Sequence, residues 1–99
     1  MTLPGLPLIH PGEQLREEFM RPFGLSVHHL AQDIDLPAGQ VQALIEQTEA
    51  VTGDIALRLA RYFGTTPEFW LNLQRDYDLA RALIDSGDKI LSTISPRAM

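Results

Sequence analysis

The chain has 99 residues, of which 44% are hydrophobic and none is cysteine. These values are typical of one small globular domain, and they exclude wholesale disorder, a disulfide scaffold and thiolate metal sites. The formal net charge of −5 at pH 7 has the wrong sign for a generic nucleic-acid-binding protein.

Residues 1–9 are predicted to form a flexible leader, because they contain Pro4, Gly5 and Pro7. This segment has no basic start, long apolar run or small-residue cleavage site, so it does not resemble a secretion signal. No stretch of the chain approaches the roughly 20 apolar residues that a membrane span needs. We therefore expect a cytoplasmic protein that does not act at a membrane.

Two short helices are predicted next. The first opens at His10-Pro11-Gly12, continues to about Met20 and is stopped before Gly24. Ser26 is a favourable N-cap, because its hydroxyl can accept a hydrogen bond from a free amide of the first turn. A second helix therefore runs from Ser26 to about Ile34.

A third helix follows the break at Asp35-Leu36-Pro37 and runs to about Glu46. Pro37 is predicted to lie in its first turn, where the missing amide hydrogen costs nothing. The inward positions of this helix are apolar: Val41, Leu44 and Ile45. The second and third helices are of similar length and separated by a tight break, which is the layout of a helix-turn-helix.

Two longer helices complete the predicted domain. Thr52 can cap a fourth helix that Gly64 ends, and Thr66-Pro67-Glu68 has the cap, proline and acid of a fifth helix start. The fifth helix is predicted to end at Ser86-Gly87. Apolar residues recur along it at spacings of three and four: Phe69, Leu73, Tyr77, Ala80 and Ile84.

The predicted fold class is therefore all-α, with five helices. Residues 10–86 form a helix-turn-helix domain with a long final helix. Residues 87–99 form a C-terminal tail, and its periodicity does not decide between a short helix and an added strand.

The third helix is the candidate reading helix, since the second helix of such a pair enters the major groove of DNA. Its outward positions are Ala38, Gly39, Gln40, Gln42 and Ala43. Glutamine can bond adenine through two atoms, alanine can touch a thymine methyl group, and the helix end at Ser26 can donate to a phosphate. The alternative is that both glutamines are ordinary solvated surface, because any small all-α domain contains two such helices.

Several segments together resemble the HigA/VapI-type antitoxins, a branch of the lambda-repressor-like Xre helix-turn-helix family. Three of these segments are His10-Pro11-Gly12-Glu13-Gln14-Leu15-Arg16-Glu17-Glu18-Phe19, Gly24-Leu25-Ser26 with Leu30-Ala31, and Ala56-Leu57-Arg58-Leu59-Ala60-Arg61-Tyr62-Phe63-Gly64-Thr65. The fourth and most specific segment is Pro67-Glu68-Phe69-Trp70-Leu71-Asn72-Leu73-Gln74 with Tyr77-Asp78-Leu79. Together the four segments span most of the chain.

This resemblance implies a homodimeric antitoxin that represses its own operon and masks a small, basic RelE-like ribonuclease toxin. It places the DNA-binding motif at residues 27–46. The implied DNA contacts lie in or beside that motif: Ser26, Val27, Pro37, Ala38, Gly39, Gln40, Gln42, Ala43, Gln47 and Thr48. The implied dimer contacts lie on the final helix: Phe69, Trp70, Asn72, Leu73 and Tyr77.

The charge of the motif departs from the family pattern. No lysine or arginine occurs between Arg21 and Arg58, although such residues supply most of the affinity for phosphates. The candidate DNA face instead carries acids: Asp33, Asp35, Glu46, Glu49 and Asp54.

Three explanations remain open. The dimer binds DNA weakly through glutamines, helix N-termini, Arg16, Arg21, Arg58 and Arg61, or it binds DNA well only when a basic toxin joins the complex. Alternatively, it is a protein-binding module that neutralises a toxin or scaffolds a partner, with DNA binding weak or lost.

No other constellation indicates chemistry. His28 and His29 are adjacent on a helix and point about 100° apart, so they cannot easily share one metal ion. No nucleophile-base-acid trio or glycine-rich phosphate loop occurs, so we predict no enzyme activity, cofactor or metal. Of Phe69 and Trp70, one ring is expected to fill the core while the other lies at a dimer contact. Asn72 and Gln74 either bridge subunits or cap the surface.

Overall fold

The computed structural model describes residues 8–98, and within that range all regular structure is helical. Most of the predicted leader, residues 1–7, lies outside the described residues. Five helices follow one another, and the first changes its winding along its length. The first helix, α1, is α-helical at Pro11–Gln14 and π-helical at Leu15–Met20, and a 3-10 turn follows it at Arg21–Phe23. The other four helices are α2 at Val27–Ile34, α3 at Ala38–Ile45, α4 at Gly53–Phe63 and α5 at Pro67–Thr93.

The predicted helix caps are confirmed. Ser26, Thr52 and Thr66 each accept a hydrogen bond from the backbone amide three residues ahead, at 3.1, 3.3 and 3.1 Å. Gly64 ends α4 in the left-handed conformation, with φ of 72°. These caps fix where α2, α4 and α5 start and where α4 ends.

The start of α1 is held by a buried histidine. His10 Nδ1 accepts a hydrogen bond of 2.9 Å from the Gly12 amide, and its ring meets Tyr77 of α5 edge-on at 4.9 Å between centroids. Burial lowers the pKa of His10 below its ordinary value of 6.5, while the Asp78 carboxylate opposes part of this shift. The neutral imidazole therefore joins the first helix to the last.

The core lies between all five helices, with Trp70 at its aromatic end. Trp70 has no exposed surface, and its indole Nε1 donates to Thr65 Oγ1 at 2.8 Å. Because its ring is wholly inside the protomer, Trp70 is a core residue and has no surface to offer at a dimer contact. The other members of this core cluster are Leu15, Met20, Leu30, Ala31, Ile34, Val41, Leu44, Val51, Ile55, Ala56, Leu59 and Ala60.

Gln74 is a buried polar side chain that ties α5 to the loop before α4. Its Oε1 accepts a hydrogen bond of 2.7 Å from the Val51 amide, and its Nε2 donates to Asp78 Oδ1 at 2.8 Å. Both ends of the amide are therefore used inside the protomer. The idea that Gln74 bridges subunits is wrong, whereas Asn72 is exposed.

The prediction that Ser86-Gly87 ends the last helix is wrong, because α5 continues to Thr93. A glycine inside a helix costs only about 1 kcal/mol, and the next proline is not reached until Pro96. The Leu83 side chain also lies over Gly87, 3.7 Å from the position of a Cβ atom there. Residues 87–93 of the predicted tail are thus helical rather than a separate helix or strand.

The far half of α5 projects from the body of the molecule. The helix has 27 residues, so it is about 40 Å long, and the molecule measures 52 × 24 × 23 Å. Among the described residues Ala80 is the last hydrophobic residue that is buried, and Ile84, which continues the apolar spacing of three and four, is 62% exposed. The exposed large apolar residues of this half are Leu79, Ile84, Ile90 and Leu91, with Ile94 just beyond.

Candidate nucleic-acid interface

The α2–α3 pair has the tight turn of a helix-turn-helix. Asp35 adopts the left-handed conformation, with φ of 58°, in place of the glycine typical of such turns. The Leu36 amide then returns a hydrogen bond of 3.0 Å to the Ala31 carbonyl. Pro37 is the extended N-cap of α3, with ψ of 141°, so the prediction that it lies in the first turn is off by one residue.

The outward face of α3 is small and uncharged at its start. Gly39 is exposed, and a Cβ atom there would meet nothing within 4 Å. Gln42 is exposed as well, while Ala38 and Ala43 are half-buried against the domain. Gln40 donates through Nε2 to Glu49 Oε1 at 3.3 Å, which orients its amide along the helix surface.

The segment after α3 is also fixed by local contacts. Gln47 adopts a left-handed conformation with φ of 65°, and Thr48 Oγ1 donates to the Ala43 carbonyl at 3.1 Å. Both side chains are exposed beside the end of α3. The structure therefore places Gln47 and Thr48 next to α3, which sequence spacing alone could not fix.

The N-terminus of α2 provides the remaining candidate contacts. The Ser26 hydroxyl is already the acceptor for the His29 amide, and Val27 packs partly against the core. His29 Nε2 lies 3.2 Å from Asp33 Oδ2, so this imidazole is turned toward a carboxylate on its own helix. Free backbone amides of the first turn are thus the groups that α2 can offer to an anion.

The arginines around the motif are mostly engaged with acids. Arg16 and Arg21 both pair with Glu17, at 3.0 and 3.2 Å. Arg58 pairs with Asp54 at 2.8 Å, whereas no ion pair is found for the exposed Arg61 within residues 8–98. Of the four arginines that the sequence offered as phosphate contacts, three are therefore at least partly neutralised.

No helix between residues 8 and 98 is long and apolar enough to cross a membrane. The same residues contain no group of three or more histidine, aspartate and glutamate side chains placed to hold a metal ion.

The chain is similar in sequence to several bacterial regulators. It is 46% identical over 77 residues to Virulence-associated protein I of Dichelobacter nodosus, a match that covers 78% of this chain and 71% of the relative. It is 40% identical over 68 residues to Antitoxin HigA-1 of Vibrio cholerae, covering 69% of this chain and 64% of the relative. No family profile matches the chain.

Solved structures extend the similarity to almost the whole chain. An addiction module antidote protein of a HigA family from Coxiella burnetii is 47% identical, with a TM-score of 0.84 over 90% of this chain and 97% of that one. This chain belongs to the HigA family of helix-turn-helix antitoxins. Pseudomonas aeruginosa antitoxin HigA, solved with the higBA promoter, has a TM-score of 0.88 at 39% identity, covering 93% of this chain and all of that chain.

A second structure with DNA covers the entire chain. Antitoxin GraA in complex with its operator has a TM-score of 0.89 at 38% identity, and the match spans 100% of both chains. The five-helix fold and the family resemblance expected from the sequence are thus confirmed. The contacts of Arg58 with Ile34, of Gln74 with Val51 and of Gln40 with Glu49 were missed, because each joins residues nine or more positions apart and no local pattern marks them.

Proposed function

We propose that this HigA-family chain is a homodimeric antitoxin that binds its own operator through α2 and α3 and thereby represses its operon. The observation that carries the proposal is the likeness to GraA, whose structure contains its operator, over the full length of both chains. The outer face of α3 supports it, since Gly39 and Gln42 are exposed there.

The proposed DNA contacts divide into readers and positioners. Gln40 and Gln42 would read base edges from α3, while Ala38, Gly39 and Ala43 allow that helix a close approach. The helix ends would hold phosphates, and the set is completed by Ser26, Val27, Pro37, Gln47 and Thr48.

The proposed dimer contact lies on α5. Phe69, Leu73 and Tyr77 are only partly buried, and Asn72 is exposed, so each retains surface for a partner. The exposed apolar residues beyond Ala80 extend the same helix and favour an additional seam there. A symmetric dimer would place two reading helices about 34 Å apart, one turn of DNA.

The proposed protein partner is a small basic RelE-like ribonuclease toxin, as antitoxin membership implies. The net charge of −5 supports this choice, because complementary charge speeds association. A protein-binding module with little DNA binding is a second candidate. It is favoured by the acids on the candidate DNA face, four of which are exposed: Asp33, Asp35, Glu46 and Asp54.

Fluorescence anisotropy tests the operator proposal. The chain is titrated into its own upstream DNA and into random DNA at about 50 mM salt, where phosphate contacts are least screened. We expect tighter binding to the upstream DNA, lost when Gln40 and Gln42 are both replaced by alanine. Gln32→Ala, an exposed glutamine on α2, is the matched control and should bind as wild type does. Equal affinity for both DNAs would remove the repressor function.

Co-expression with the product of the adjacent reading frame tests the partner. A basic protein of roughly 90–110 residues that co-purifies with the chain and stops growth alone would support the antitoxin role. Toxin rescue should survive the double glutamine substitution, because neutralisation does not require DNA reading. A neighbour that binds neither the chain nor its variants would contradict the toxin proposal.

A further inference from the structure

Arg58 spans the gap between α4 and the turn of the helix-turn-helix. Its Nη1 donates to the carbonyl oxygens of Ile34 and Asp35, at 2.9 and 3.0 Å. Its Nε donates to Asp54 Oδ2 at 2.8 Å, one turn earlier on α4. A single guanidinium therefore contacts both the end of α2 and the residue that forms the turn.

The end of α2 needs such a cation. The last carbonyls of a helix lack partners in the helix and carry the negative end of its dipole. No basic residue lies in the last turn of α2, which instead contains Asp33. The left-handed Asp35 that follows is a costly conformation for a residue with a side chain. Arg58 supplies from α4 the positive charge and the donors that α2 itself lacks.

A second side chain of α4 reaches the same end of α2. The hydroxyl of Tyr62, one turn beyond Arg58, donates to Asp33 Oδ2 at 2.6 Å. We call Arg58 and Tyr62 together the α4 clamp. An open cleft surrounds the clamp, lined by Asp33, Ile34, Asp35, Arg58, Arg61 and Tyr62.

We propose that the α4 clamp is a positioning device, in which Arg58 fixes the angle between α2 and α3 and so sets how the reading helix is presented. This role rests on the proposed operator binding. In this proposal Arg58 acts inside the chain rather than on a phosphate, because Nε and Nη1 of its guanidinium are used by three acceptors there.

The negative charges around Arg58 favour these hydrogen bonds. The hydrogen bond to the Asp54 carboxylate raises the pKa of Arg58, and the negative charge of Asp35 adds to the effect. Pulling the guanidinium toward a phosphate would leave two backbone carbonyls and an acid without their partner. Arg61, three residues further along α4, is the exposed arginine of this cleft and is free to turn outward.

Substitutions combined with salt titration test the proposal. Arg58→Gln removes the charge, Arg58→Lys keeps the charge but not the fork of donors, and Tyr62→Phe removes the second tie. Arg75→Gln, an exposed arginine paired with Asp76 on α5, is the matched control. Each variant is measured well below its melting temperature, so that only folded protein is compared.

We expect Arg58→Gln to lower operator affinity by roughly tenfold, as for loss of a hydrogen bond to a charged group. The slope of log affinity against log salt should stay unchanged, and the preference for operator over random DNA should fall. Arg58→Lys should lose part of the affinity, Tyr62→Phe less, and Arg75→Gln none. A slope that decreases by about one unit would identify a direct phosphate contact and overturn the proposal. Full operator affinity in Arg58→Lys would overturn it as well.

A readout without DNA separates this proposal from the proposed function. Amide hydrogen exchange at Leu36 reports on the turn, since that amide bonds the Ala31 carbonyl across it. Exchange should become roughly tenfold faster in Arg58→Gln, and unchanged exchange would show that the clamp does not hold the turn. If the wild-type chain fails to prefer its operator, the repressor function fails, while this measurement still decides whether Arg58 fixes the turn.

Discussion

Gly12 allows α1 to lie against α3, because it has a hydrogen atom where every other residue has a side chain. A Cβ atom at this position would be 1.7 Å from the Leu44 carbonyl oxygen, which belongs to the backbone and cannot rotate away. The φ angle of Gly12 is not in the left-handed region, so the backbone conformation does not require glycine. The close approach of the two helices is what requires it. The first helix would have to move away from α3 to admit any larger residue.

We predict that Gly12→Ala lowers the free energy of unfolding by about 2 kcal/mol or more, because overpacking forces a backbone shift. Gly53→Ala is the control, since a Cβ atom there would meet nothing within 4 Å. That variant should stay within about 1 kcal/mol of wild type. Urea unfolding followed by circular dichroism measures both, and equal stability of the two variants would contradict the close contact.

The buried cap at His10 predicts a pH dependence of stability. Burial lowers the pKa of His10 in the folded state below 6.5, so folding favours the neutral imidazole that accepts from Gly12. Its contribution is fully present above pH 6.5 and is progressively lost as the pH falls toward the folded-state pKa.

His10→Asn keeps a capping acceptor but does not titrate. We therefore expect the stability of wild type to decline between about pH 7 and pH 5, whereas the stability of His10→Asn stays nearly flat in that range. Thermal unfolding across the range provides the measurement. An equally steep decline in the variant would assign the effect to other groups.

Among the elements, α5 has two halves with different surroundings. The first half packs Trp70 and Gln74 into the domain, whereas among the described residues beyond Ala80 no hydrophobic side chain is buried. An isolated helical stretch of this length is marginal in water, so a second copy along its apolar side would stabilise it. This gives the proposed homodimer a specific seam.

We predict that Ile84→Asp and Leu91→Asp each raise the dimer dissociation constant by at least roughly tenfold, because each removes buried apolar area and introduces a charge. Leu57→Asp is the matched control, since Leu57 is 61% exposed on α4 and Leu91 is 60% exposed. Sedimentation equilibrium measures all three. If only Leu57→Asp separates the subunits, the seam is on α4.

The helix starts of this fold can be predicted from the sequence, whereas the end of α5 cannot. Helix starts at Ser26, Thr52 and Thr66 depend on one side chain and an amide three residues ahead, so a local pattern is sufficient. The end of α5 was placed too early, because Gly87 lacks a neighbouring proline and is covered by Leu83. Whether the helix ends at Gly87 depends on the balance between the cost of a glycine inside a helix and the packing of Leu83 over it, and the residue type alone does not determine this balance.

The candidate site shows the same limit. The α2–α3 layout and the outward glutamines follow from spacing and periodicity. The pairing of Gln40 with Glu49 and the reach of Arg58 to Ile34 do not, because the second contact joins residues 24 positions apart. The sequence therefore predicted Arg58 as a DNA contact, although the fold places its guanidinium against the turn between α2 and α3.

For the whole molecule, charge is the property that limits DNA binding. The chain carries 13 acids and 8 lysines and arginines, and the motif itself lies in the stretch without either basic residue. Affinity must then come from helix ends, glutamines and exposed cations outside the motif. The salt dependence of binding should be shallow for the proposed dimer, since few counterions are released.

We predict that Glu46→Lys strengthens operator binding several-fold and steepens the salt slope by about one unit for each phosphate gained. Glu46 is exposed at the end of α3, so the new ammonium can approach DNA. Glu68→Lys, at the exposed start of α5, makes the same change in net charge and is the control. Anisotropy titrations from about 50 to 200 mM salt compare them. An equal gain in both variants would indicate that overall charge, rather than the position of the cation, sets affinity.

The wide turn at Leu15–Met20 affects how this chain should be aligned with its relatives. Its closing bond runs from the Arg21 amide to the Arg16 carbonyl, five positions back, which is the geometry of one extra residue accommodated in a helix. A relative with one residue fewer in this stretch can trace the same path as an ordinary α-helix and still place a ring at the position of Phe19, which here contacts the rings of Phe63, Phe69 and Trp70. A single-position gap inside an otherwise uninterrupted helix would then record a genuine length difference and not an alignment error.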